Sequence, residues 1–179
     1  MSEDESFEPH DFVRRTTPWI YYEYFVLPSY DDFAEDKRNV RLAFNACVAA
    51  FQTRDIFWEF CKRHDPSRIA EWTIHRRDQK NVAELTRSLV DRCPDFLLIQ
   101  SVATAFKHLY PSTKISVVSS PGSVVGLVNS RKGTGLHVKW GDGVHGEVAV
   151  KLRDKRSVLL APALQNVIKF WRDFLPYED

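Results

Sequence analysis

The chain predicts an α+β fold: an antiparallel helical core of about four helices, then a small antiparallel sheet, then a C-terminal helix. Three observations lead there. Asn39–Arg63 runs without Gly or Pro and is rich in Ala, which favours helix. Beyond Tyr110-Pro111 the apolar pattern shifts to short runs separated by glycine-bearing turns, which reads as strands. From Pro162 helical spacing returns, with Leu164, Val167, Ile168, Trp171 and Phe174 on one side.

The rest is organised around Asn39–Arg63. Val40, Phe44, Cys47, Phe51 and Trp58 fall on one stripe, and Ala43, Ala46, Ala50, Phe57 and Cys61 on a second beside it. Two adjoining stripes make a wide apolar face that neighbours must cover on more than one side. Arg41, Asn45, Gln52, Asp55, Glu59 and Arg63 mark the wet side. Asp65-Pro66 ends the helix, since a residue before proline avoids helical geometry and proline donates no amide hydrogen.

Upstream, residues 1–17 read as a disordered or extended tail, and 18–179 as one domain with a helical core (18–110), a β-rich part (111–160) and a final helix (161–176). Thr17-Pro18 is a helix start with proline in the first turn, and Trp19, Tyr22 and Val26 form the buried stripe, with Ile20 and Tyr24 beside it. Pro28 is expected to stop that helix, with a new turn from Tyr30 capped by Ser29. Downstream of the long helix, Ser67 is the expected cap of a short helix over 68–75. Val82, Leu85, Leu89 and Val90 mark another from about 79 to 92. Asp95 is the expected cap of the next helix, Phe96–Leu109. There Leu98, Val102, Phe106 and Leu109 form the buried face, and Ser101, Thr104 and His108 a polar facet. Its small residues suit close packing on the long helix. Five strands are expected, at 115–120, 123–129, 135–140, 146–152 and 157–161.

Composition narrows the function. Formal net charge is +1, so no whole-chain field attracts nucleic acid or an anionic membrane. No apolar run reaches the roughly 20 residues of a membrane-spanning helix. The acidic N-terminus lacks the basic flank and apolar core of a secretory signal. Three cysteines make no CxxC pair, so reduced thiols and a cytoplasmic setting are expected. No phosphate loop, nucleophile elbow, zinc-protease or dinucleotide motif occurs, and no cofactor is implied.

Several constellations merit weighing. Asp31, Asp32, Glu35 and Asp36 cluster, and such acids are expected near helix N-termini, opposite the positive end of the dipole, solvated rather than holding a metal. Cys61 and His64, with His75 and Cys93, hold zinc-ligand types, but cysteines on an apolar stripe are ordinary core residues, so no metal is assigned. Arg54 falls in line with Cys47, Phe51, Phe57 and Cys61, and a cation at the edge of an apolar face needs a partner. His108 follows Lys107 at a helix end, where the helix dipole favours both. Imidazole is also the side chain that titrates nearest neutrality, which makes His108 the candidate general acid/base.

PSYDDF at 28–33, RLAFNA at 41–46, RDIFWEF at 54–60, CPDF at 93–96, VATAFKHL at 102–109 and the Phe170-Trp171 pair together resemble an uncharacterised family of bacterial and phage-associated proteins. That family is in turn distantly similar to HEPN domains, helical modules of toxin and defence systems. Many HEPN members are metal-independent ribonucleases carrying an Arg-x4–6-His motif. With the histidine set on His108, Ala103 and Thr104 stand where Arg and Asn would be. Arg68 and His75 have the spacing but lie in a connecting region. The resemblance therefore implies a non-catalytic interaction module acting through a protein partner or as a homodimer. The alternative is a ribonuclease with His108 as acid/base and Arg54 or Lys107 stabilising phosphate charge. A third reading is RNA binding through Arg131, Lys132, His137, Lys139 and Trp140, since basic and aromatic side chains together stack bases. Hairpin tips are also basic for solubility alone.

Overall fold

A computed structural model describes residues 17–72, 82–107, 126–128 and 147–175. Within them the expected α+β architecture is present. In chain order come α1 (Pro18–Tyr21), a π-helical segment (Tyr22–Val26), α2 (Leu27–Glu35), α3 (Val40–His64), α4 (Pro66–Trp72), α5 (Val82–Arg92) and α6 (Asp95–Lys107). Then follow β1 (Gly126–Val128), β2 (Glu147–Lys151), β3 (Ser157–Leu159) and α7 (Leu160–Phe174). The strands form one antiparallel sheet in the order β1-β2-β3, with Leu127 opposite Val148 and Val150 opposite Val158. Among the described residues, no helix is long and apolar enough to cross a membrane.

The N-terminal arm starts as expected. Thr17 caps it by accepting a hydrogen bond from the Ile20 amide, with Pro18 in the first turn. Pro28, however, does not stop it. Helical structure runs unbroken from Pro18 to Glu35, and the residues before Pro28 widen into a π turn in which the Leu27 amide reaches back to the Tyr22 carbonyl. Proline normally collides with the carbonyl four residues upstream and leaves it without a donor. A wider turn at that point relieves the collision and re-pairs the backbone. Trp19, Tyr22 and Val26 are buried as expected, whereas Tyr24, expected beside them, is 67% exposed, because two residues past Tyr22 is roughly 200° around a helix and falls opposite the buried stripe.

The central helix α3 is capped by Asn39, whose side chain accepts from the amides of Arg41 and Leu42. Its second stripe, Ala43, Ala46, Ala50, Phe57 and Cys61, is fully buried, while most of the first stripe is half-buried. The short side chains let neighbours approach closely, and α6 packs on α3 more extensively than any other helix. Four local expectations are corrected. Asp65, not Ser67, starts the next helix, accepting from the Ser67 hydroxyl and the Arg68 amide, so α4 begins at Pro66. Asp95 is itself in the first turn of α6, and its carboxylate accepts from the Asn166 amide on α7. Ser101 is buried rather than on a polar facet, because its hydroxyl bonds back to the Leu97 carbonyl and so needs no water. At the sheet, Leu160 and Ala161 belong to α7 and not to the last strand, and Pro162 sits in the first turn, where its missing amide hydrogen costs no helical bond. The expected strands at 115–120 and 135–140 lie outside the described residues.

Helix α7 closes the core. Trp171 is fully buried, and its indole Nε1 donates to the Ala50 carbonyl of α3 at 2.8 Å. Its ring meets Phe96 of α6 edge-on at 5.8 Å. Tyr22 likewise reaches across, donating from its hydroxyl to the Ile168 carbonyl of α7. Both polar atoms are satisfied, so two large amphipathic rings contribute their apolar area without an orphaned donor. Trp171→Phe keeps most of that area and loses the hydrogen bond. Urea unfolding is expected to show a loss of about 1–3 kcal/mol from the missing bond and the void.

Candidate functional site

Arg54 is placed by α3 at the edge of the buried face, its side chain 12% exposed. Its guanidinium is fully engaged with described neighbours. Nε and Nη2 donate to Asp55 Oδ1 at 3.0 and 2.6 Å, and Nη1 donates to Thr86 Oγ1 of α5 at 2.9 Å. The same Thr86 hydroxyl donates to the Val82 carbonyl, so one oxygen both accepts and donates. The guanidinium also lies over the Phe51 ring, 4.2 Å from its centre. Planarity allows hydrogen bonding at the edge and stacking on the face together, which a lysine could not reproduce. These contacts supply the partner that the sequence demanded. They link α3 to α5 across the core edge.

Thr86 and the buried carboxyl-bearing Glu84 on α5 were not anticipated. A signal existed for Thr86, which lies four residues after Val82 and three before Leu89, in line with the apolar stripe. Nothing in the spacing marks Glu84.

The other sequence candidates divide by position. Lys107 is the last residue of α6, and His108 lies beyond it, outside the described residues. His75, Arg131, Lys132, His137, Lys139 and Trp140 also lie outside. Ala103, where an HEPN-type arginine would stand, is buried in the core. Cys61 and Cys93 are buried, while His64 is exposed and packs against Phe60. Among the described residues no group of three or more His, Cys, Asp or Glu is arranged to hold a metal ion.

A feature missed in the sequence is the outer face of the arm. Tyr24 and Phe25 are the exposed large hydrophobic side chains among the described residues. Tyr21 stacks on Phe25 at 5.2 Å and donates its hydroxyl to Gln52 of α3. Burial raises the Tyr21 pKa to about 12, so it remains a neutral donor. The arm's residues 17–36 hold five acids, Glu23, Asp31, Asp32, Glu35 and Asp36, and no Lys, Arg or His. All but Asp36 are exposed, and Asp36 alone among them has an ion-pair partner, Arg38, among the described residues.

Two predictions follow from these surroundings. Arg54→Met removes the guanidinium but keeps an apolar stem. Stability is expected to fall by about 1–2 kcal/mol, measured by urea unfolding; the Asp55 bond contributes little of this because that carboxylate is half in water. The thiols give a pH dependence. Burial is the main cause that raises all three, Cys61 to about 11 and Cys47 further still. The folded chain thus keeps protons that the unfolded chain releases above about pH 8.5, so stability is full below that pH. Unfolding midpoints are expected to decline between about pH 8.5 and about pH 11, and less steeply in Cys47→Ala.

Comparison with protein-family models, with curated proteins and with solved structures finds no match in any of the three.

Proposed function

We propose that this chain is a non-catalytic, HEPN-like interaction module of the cytosol, linked to phage or defence biology, that binds a protein partner through the outer face of its N-terminal arm. The observation that carries the reading is the pair Tyr24 and Phe25, held out on the π segment with Tyr21 stacked behind them. Large aromatic side chains at a surface bring much contact area at little entropy cost, and they are the usual anchors of protein–protein contacts. The π turn that presents them is a feature often found at functional positions.

Two further points favour binding over catalysis. Arg54, the cation that a nuclease mechanism would borrow, is already committed to Asp55, Thr86 and Phe51. Ala103 lies in the core where the resemblance would require an arginine. The defence setting rests on the resemblance, and the cytosolic setting on three free cysteines.

The test has two arms. Purified protein is expected to leave RNA intact in chelator, as is His108→Ala; metal-free cleavage abolished by His108→Ala would replace this reading with a ribonuclease. In crosslinking from the native host, a defined adduct is expected with wild type and lost with Tyr24→Ser/Phe25→Ser at unchanged Tm. An adduct indifferent to that change would remove the arm from the binding surface.

A further inference from the structure

The arm has a counterpart elsewhere on the same chain. The β2–β3 hairpin carries Lys151, Arg153, Lys155 and Arg156, all exposed, against two acids, Glu147 at the start of β2 and Asp154 in the turn, the latter paired with Arg156. Its turn is closed by Lys155 N–H to the Leu152 carbonyl and by Leu152 N–H to the Arg156 carbonyl. A three-residue turn of this kind ends on a residue in the left-handed region, where glycine is the unstrained choice. Here that residue is Lys155, with φ of 71°. The strain points to a use for the charge at the tip.

The C-terminal end of the arm adjoins the start of β2. The Val148 amide at the start of β2 donates to the Lys37 carbonyl just past the arm. Lys151 is three residues further on, about 10 Å by the rise of a strand. Among the described residues no ion pair joins arm to hairpin within one chain.

Building on the proposed role of the arm as a docking face, we infer that its partner is a second copy of this chain, whose basic hairpin seats on the arm. The Arg153 guanidinium stacks on Tyr24 and Phe25, joined by the exposed face of Arg156, whose edge is paired with Asp154, and the lysines face Glu23, Asp31, Asp32 and Glu35. Adjacent complementary patches pair reciprocally about a two-fold axis, so the contact closes on a dimer and does not propagate. Its chemistry is largely exposed charge, which makes it salt-sensitive.

Charge reversal tests this. Sedimentation equilibrium of wild type is expected to show a dimer at roughly 0.05 M salt that weakens at least about tenfold near 0.5 M. The acid-reversed set Asp31→Lys/Asp32→Lys/Glu35→Lys and the base-reversed set Lys151→Glu/Arg153→Glu/Lys155→Glu are each expected to be monomeric alone and to associate one-to-one when mixed. The milder Asp31→Asn/Asp32→Asn/Glu35→Gln set replaces the first should that variant lose its helical circular dichroism. Lys155→Gly is expected to raise Tm while weakening the dimer; a purely structural turn residue would move Tm only. A monomeric wild type at low salt, or mixed variants that stay apart, overturns the inference. If the wild type is monomeric while the arm-dependent adduct persists, the second-copy inference fails and the interaction reading stands; if metal-free RNA cleavage appears, that reading fails whatever the oligomeric state.

Discussion

The indole of Trp171 is the contact on which the packing depends. It sits where α3, α6 and α7 meet, bonded to the Ala50 carbonyl and flanked by Phe96, Phe170 and Phe174. The ring seats against α3 at Ala50, on a stripe where Ala43, Ala46 and Ala50 keep the side chains short. The small residues of the long helix and the large residues of the last helix are thus two halves of one volume requirement. Separated by more than a hundred residues in the chain, they meet only in the folded core.

Much of this was legible. The alanine and aromatic stripes of α3, the helix start at Thr17-Pro18 and the inward set of α7 all follow from spacing and from local backbone chemistry, whereas Asn39, counted as the first helical residue, is the cap of α3. What escaped was context. Pro28 is a helix breaker by every local rule, and only the π turn before it explains why the helix persists. Ser101 is polar by type but carries its own acceptor in the preceding turn, which makes burial inexpensive. Asp65 rather than Ser67 took the cap because the chain bends at Asp65 and places its carboxylate over the next amides.

The site was less legible than the fold. That Arg54 needs a partner follows from one stripe on one helix, but the identity of Thr86 depends on how α5 lies across α3. The exposure of Tyr24 was legible but unread: at 3.6 residues per turn it falls opposite Trp19, Tyr22 and Val26, on the outer side of the arm.

The π turn also bears on how this surface could change over time. A π turn takes up about one more residue than an α turn. Upstream, Trp19 and Tyr22 keep their seats, and downstream Phe33 keeps its own, with the surplus absorbed between them. The segment therefore behaves as an expansion joint in the helix. Substitutions at its outward positions alter what the arm displays without disturbing the volume around Trp171. Outward display and inward packing are thus separated along a single continuous helix, so substitution at one need not disturb the other.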